Sequence, residues 1–541
     1  MLSTPHASLH CFPPTHVTGA DTVMAGAQIK EGTGRHTDET VAARCYNPAR
    51  REPTSGKQNP AGPAPAFPPS GLPGHFLPHD LSRQHPFHIS FQGMLHLKDS
   101  LSMKASLLLT GVSLGLGLAS LASARADTTL TIATVNNVQM IEMRKLSHVF
   151  EAAHPDIHLR WVTLEENVLR QRVTTDIATH AGQFDILTIG NYEVPLWAKQ
   201  GWLYKFDKIP ASYDLADIIA PVRESVSYQG SVYALPFYAE SVMTFYRKDL
   251  FAKAGLTMPD TPTYEQIADF AAKTTDKASD TYGICLRGKP GWGENITIVT
   301  AMVTGFGGQW FDMHWKPMLT APAWHEAITY YASLMKKYGP PGASANGFNE
   351  NLSLFATGHC AIWIDATSAA GTVFDPKQSS VADKVGFASL PTGSFKGGPT
   401  WLWSWNLAIP ASSSHAEAAS SFIQWATSKD YIQLVARTDG WVNIPPGTRS
   451  SSYQSPAYQK VAPFSSFVLK AIETSNPSGK TAQPRPYIGA QFVDITPFQG
   501  IGTQVGQTIA SILAGSLSVD AGLASANAAT NRMIRQAGYQ K

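Results

Sequence analysis

The chain has 541 residues, more than one hydrophobic core usually serves, so two or three domains are expected. Its 42 Lys and Arg nearly balance 40 Asp and Glu, with no basic cluster. That balance argues against nucleic acid as a partner.

Composition is uneven along the chain. Residues 1 to 102 hold 9 of the 17 His and 13 of the 37 Pro but none of the 13 Trp. A stretch such as "PTSGKQNPAGPAPAFPPSGLPGHFLPHD" has neither helical nor strand period, and its prolines remove backbone donors, so 1 to 102 is expected to be disordered or not made at all. Its histidines, among them His6, His10, His16, His75, His79, His85 and His88, lack metal-ligand spacing. At Met103 the character changes. "MKASLLLTGVSLGLGLASLASARA", residues 103 to 126, has the charged start, apolar run and small-x-small end of a secretory signal peptide. Translation is therefore expected to begin at Met103 and the exported chain near Asp127. That exported chain has 415 residues, with 32 Lys and Arg against 33 Asp and Glu. Of its two cysteines, Cys285 and Cys360, export permits a disulfide, while "GICLRG" and "HCAIWI" read as core strands where a free Cys is simply a small apolar residue.

The exported chain opens with alternating strands and helices: strand 129 to 135, helix 140 to 154, strand 157 to 164, a helix through "ENVLRQRVTTDIATH", and strand 184 to 189. This spacing predicts a parallel sheet with right-handed crossovers. Ligands in such sheets bind beyond the strands' carboxyl ends, here Val135-Asn136-Asn137 and Ile189-Gly190-Asn191-Tyr192. Two helices follow, "TYEQIADFAAKTT" and "PAWHEAITYYASLMKKYG", with short strands near 282 to 286, 360 to 364 and 385 to 390. "TWLWSWNLAIP", residues 400 to 410, places Trp401, Trp403 and Trp405 on one side of an extended segment. Helical stretches at 415 to 436 and 457 to 473 come next, and the last clear helix spans 500 to 515.

Several local patterns resemble the extracellular solute-binding proteins of sugar-importing ABC systems: "FDILTIGNYEVPLWAKQGWLYKFD", "YALPFYAESVMTFYRKDLFAKAGL", "GQWFD", "FATGHCAIWIDAT" and "VGFASLPTG". Within that family, "GWGEN", "WLWSWNLAIP", "GWVNIPPGTR" and "PRPYIGAQFVDI" look most like binders of acyclic polyols such as sorbitol and mannitol. The resemblance implies an α/β, two-lobed periplasmic binding protein (type II-like) with a ligand cleft and three interlobe crossings, near 238 to 241, near the tryptophan strand and near 455 to 465. The N-terminal lobe would comprise 127–240 plus about 402–460, and the C-terminal lobe 241–401 plus about 461–541. It further implies a monomer in the periplasm that hands a small polyhydroxylated ligand to the permease subunits, with no cofactor and no metal.

Binding a polyol needs aromatic faces for C–H patches and carboxylates or amides for hydroxyls. "LPFYAES" places Tyr238 and Glu240 on one side of the first crossing. Asn191 and Tyr192 follow the third strand, where the family often has a contact. Asn137 follows the first strand and could equally be a helix cap. In "KPGWGEN", Trp292 is offered by a glycine-bracketed loop beside the acceptor Glu294. Asp365 ends an apolar strand and needs a partner, a ligand hydroxyl or the N–H groups of the next turn. Of the tryptophans, Trp403 and Trp401 are expected at the cleft, with Trp405 sunk into the first lobe. The alternative is a secreted hydrolase or lyase, with two carboxylates drawn from Glu240, Glu294, Asp312 and Asp365. Neither a G-x-S-x-G elbow nor an H-E-x-x-H helix is present.

Overall fold

A computed structural model describes residues 127–540. The expected signal peptide and the segment before it lie outside the described residues. Two sheets organise the chain. In the first, β1 (Thr128–Val135), β2 (Ile157–Leu164) and β3 (Ile186–Gly190) run parallel, β1 in the middle. β1 and β3 are buried along nearly their whole length, as Thr-, Ile- and Leu-rich strands covered on both faces should be. The helix Glu166–Thr179 makes the crossover from β2 to β3. The expected helix 140 to 154 is two, Val138–Leu146 and His148–Ala153. At the break, the Ser147 hydroxyl and backbone N–H both donate to the Arg144 carbonyl, a local alternative to continuing the helix.

After a small hairpin of β4 (Ser227–Tyr228) and β5 (Ser231–Val232), β6 (Leu235–Glu240) forms an edge of the first sheet, and only Ser241 separates it from β7 (Val242–Arg247), the centre of the second. There β8 (Ile362–Ala366) and β9 (Val385–Ala388) flank β7, both antiparallel to it. The chain then returns, and β10 (Trp403–Ala408) inserts between β3 and β6, antiparallel to both, giving the order β2-β1-β3-β10-β6. The helix Ser465–Glu473 still packs on β6, whereas Phe498–Leu513 packs on the second-sheet helices Asn295–Gly305 and Pro322–Tyr338. Phe467 of the first of these helices also packs on Phe387 of β9, and Phe464 just before it packs on Phe374.

Two elements depart from expectation. Residues 282 to 286 make isolated bridges, Tyr282 to Cys360 and Cys285 to Trp363, rather than a strand. A helix at Val519–Gln536 follows the expected last one. Its buried stripe is mostly small, Gly522, Ala526, Ala529 and Thr530 beside Leu523 and Ile534, so its apolar period is faint. Alanine propensity, a Ser518 cap on the Ala521 N–H and packing on the preceding helix supply what the period does not. Cys285 and Cys360 are joined in a disulfide across 75 residues. Such a bridge is worth about 2–4 kcal/mol. It ties the segment leading to Arg287 against the strand that carries Asp365.

Candidate functional site

The two sheets face a cavity of about 90 Å³. A single water needs about 10–15 Å³, so this space suits a small molecule.

Register sets the first wall. β10 pairs with β6 so that Trp403 lies opposite Glu240 and Trp405 opposite Tyr238, putting both indoles, the phenol and the carboxyl at one face. Gly190, at the end of β3, makes room: a Cβ there would come within 2.0 Å of the Trp403 ring. From the end of β1, Asn137 Oδ1 accepts the Met140 N–H as an N-cap, while its Nδ2 donates to the Tyr238 hydroxyl at 2.8 Å. One side chain thus both starts a helix and orients a cavity residue. The helix after β2 contributes Arg170, whose guanidinium carbon lies 4.0, 4.9 and 4.6 Å from the ring centroids of Trp292, Trp403 and Trp405. Glu166 accepts from its Nε and Nη2 at 3.0 and 2.8 Å, and Glu193 from its Nη1 at 2.9 Å. The buried cation is therefore paired twice and covered by indoles.

The second wall is a loop. Arg287 donates to Asp365 through Nε at 3.1 Å and Nη2 at 2.6 Å, and through Nη1 to the Gly293 carbonyl at 2.7 Å. The Trp363 indole and the Ala366 N–H also donate to Asp365. Glu294 lies 3.8 Å from Arg287 and 3.7 Å from Lys289. Lys289 also reaches across to Glu165 on the first wall at 2.7 Å, and Asn167 Nδ2 donates to the Pro290 carbonyl at 3.2 Å. The loop is thereby tied both to its own sheet and to the opposite wall.

Burial sets the protonation. Glu240, with the Ser368 hydroxyl donating to it, is pushed up to about 8 by desolvation. Glu294 is also raised to about 8, by desolvation and then by the nearby Glu166 charge. Burial thus shifts both toward the protonated form, which can donate as well as accept a hydrogen bond.

Seven of the ten expected site residues line this cavity: Asn137, Tyr238, Glu240, Trp292, Glu294, Trp401 and Trp403. Three do not. Asp365 is saturated by Arg287, the Trp363 indole and the Ala366 N–H, so its main partner is a buried cation rather than a ligand hydroxyl or the next turn. The Tyr192 hydroxyl donates to the Ile495 carbonyl, and its ring packs on Trp292, Phe492 and Phe498. Asn191 is buried with its amide donating to the Leu402 carbonyl, so the end of β3 anchors β10. Trp405, expected inside the first lobe, instead borders the cavity, because it shares the Trp403 face of the strand. Trp292 is only 2% exposed, its ring covered by Arg170 and edged by Trp403, rather than standing free on its loop. The sequence reading missed Arg170, Arg287, Lys289, Glu166 and Gln491. Glu166 and Arg170 do stand at i and i+4, but that signature usually marks a solvated helix face.

The sequence profile of the bacterial extracellular solute-binding protein family matches residues 138–433. The chain is 52% identical over 418 residues to a mannitol-binding protein of Pseudomonas aeruginosa, covering 77% of this chain and 96% of that one. A solute-binding protein of Agrobacterium vitis, solved with bound D-mannitol, superposes with a TM-score of 0.75 at 56% identity, over 76% of this chain and all (100%) of that one. One from Agrobacterium radiobacter, solved with ribitol, gives 0.66 at 26% identity, over 75% and 99%.

Proposed function

Because the chain belongs to the bacterial extracellular solute-binding protein family, we propose that it is the periplasmic binding component of an ABC importer whose ligand is an acyclic polyol of the mannitol and sorbitol kind. The observation that carries the ligand class is the 52% identity across 96% of a mannitol-binding protein. The cavity supports it with chemistry: amide, indole and carboxyl groups converge on a small space, which is what a hydroxyl-rich guest requires. Walls from both sheets touch the guest, so ligand favours the closed arrangement, and the permease reads that closed shape. The protein acts as an exported monomer, delivers to the membrane subunits of the permease and performs no chemical step. Of the four carboxyls open to the hydrolase reading, Asp365 is consumed by Arg287 and Asp312 accepts the His314 and Lys316 N–H groups of its own loop, which leaves only Glu240 and Glu294 in the cavity, and none of the relatives reported above is a hydrolase.

Calorimetry of the purified protein against mannitol, sorbitol, arabitol, xylitol and maltose tests the proposal. Mannitol or sorbitol should bind saturably and unchanged, stabilising by about 2.7 kcal/mol at a hundredfold excess over Kd. Binding of maltose but of no polyol would remove the ligand assignment, and turnover of an oligosaccharide would remove the binding-only role.

A further inference from the structure

Among the described residues, three buried polar atoms of the cavity walls lack hydrogen-bond partners. Trp292 Nε1, Trp401 Nε1 and Gln491 Oε1 are buried and unbonded, and all three residues line the same space. Such atoms are costly unless something arrives to pair them. Gln491 is the most informative of the three. It is 2% exposed, and its Nε2 donates to the Leu402 carbonyl at 2.8 Å, between Trp401 and Trp403. That bond fixes which end of the amide is which and leaves Oε1 as a committed acceptor. Asn191 donates to the same carbonyl, so the tryptophan segment and the Gln491 amide are held as one unit.

The unmet demands are complementary, two N–H donors and one carbonyl acceptor. A ligand that answers them must accept at two points and donate at another. Hydroxyl groups do both. A carboxylate ligand has no proton to give Gln491. An ammonium group offers nothing to the indole N–H groups.

Building on the polyol reading above, we propose that Gln491 is a specificity-determining residue that accepts the proton of one ligand hydroxyl, while the Trp292 and Trp401 indoles donate to ligand oxygens. The site is therefore selective for neutral polyhydric alcohols and rejects the analogue that lacks the hydroxyl facing Gln491. Sites built to pair a hydroxyl discriminate strongly against its loss, because the protein group is then stranded.

The test is calorimetry of the full exported protein with mannitol and with the set of monodeoxy-mannitols, for the wild type and Gln491→Leu. The wild type should bind one deoxy analogue at least tenfold more weakly than mannitol. Gln491→Leu should bind mannitol at least tenfold more weakly than the wild type does and should no longer distinguish mannitol from that analogue. A loss of affinity with the discrimination retained would mark Gln491 as a structural support only and overturn the inference, as would mannitol affinity within twofold of wild type. Circular dichroism establishes that the variant is folded; if Gln491→Leu is not, Gln491→Met, which keeps the chain length, gives the same two readouts. Should the wild type bind no polyol at all, the ligand assignment itself fails and this inference with it. Wild-type binding beside an unaltered Gln491→Leu profile removes the role of Gln491 alone.

Discussion

The first wall of the cavity carries Tyr238, Glu240, Trp403 and Trp405 on paired strands, whereas the second carries Arg287, Lys289, Trp292 and Glu294 on a loop. Ladder hydrogen bonds hold the first in place. The second has no ladder of its own, and what replaces it is a charged network, Arg287 to Asp365 on the adjacent strand and Lys289 to Glu165 across the cavity, with the disulfide behind. A wall built on a sheet is precise because of its backbone. One built on a loop is precise only as long as its buried charges are matched.

The largest test of that contrast is Arg287→Met. It strands the fully buried Asp365 carboxylate and should cost about 3–5 kcal/mol of stability, read by urea unfolding. A cost below about 1 kcal/mol would mean that the loop does not depend on its ion pair.

A middle-sized effect concerns pH. Glu240 and Glu294 sit at about 8 in the fold against an ordinary 4.5. Between those values the folded chain holds protons that the unfolded chain has released, so their contribution is fully present below about 4.5, falls as pH rises and is lost above about 8. The melting temperature of the unliganded protein should decline across that window, and Glu240→Gln should shallow the decline. An unchanged slope in the variant would show that Glu240 is ionised throughout.

The smallest effect is expected at the tie between the walls. Lys289 and Glu165 are partly exposed, so Lys289→Met should cost about 1 kcal/mol or less in stability. Because the pair joins the two walls, the loss should appear as faster ligand release, by stopped-flow fluorescence, with association little changed. Slower association with unaltered release would place the pair in encounter rather than closure.

Legibility in the sequence followed the same division. Period-two and period-three-to-four patterning gave β1, β2, β3 and the crossover helix within a few residues, since local burial writes itself into apolar spacing. The strand pattern "LWSWN" put Trp403 and Trp405 on one face, and the loop motif flagged Trp292 and Glu294. The faint helix Val519–Gln536 escaped because its buried residues are mostly small.

The roles within the site were harder. Asp365 and Tyr192 have the chemistry of ligand contacts, but nothing local says that Arg287 and the Ile495 carbonyl, 78 and 303 residues away along the chain, take their polar groups. Arg170 reads as a surface helix arginine until three tryptophans from two distant segments close over it.

The amino-acid sequence by itself determined the three parallel strands of the first sheet, the strand face that carries the tryptophans and the presence of amides, carboxyls and indoles suited to hydroxyl groups, because these follow from neighbours along the chain. Tertiary structure alone decided which of those groups remain open to a guest. Burial and pairing partners come from segments that meet only when the fold forms, and a polar atom is available only where no such partner reaches it.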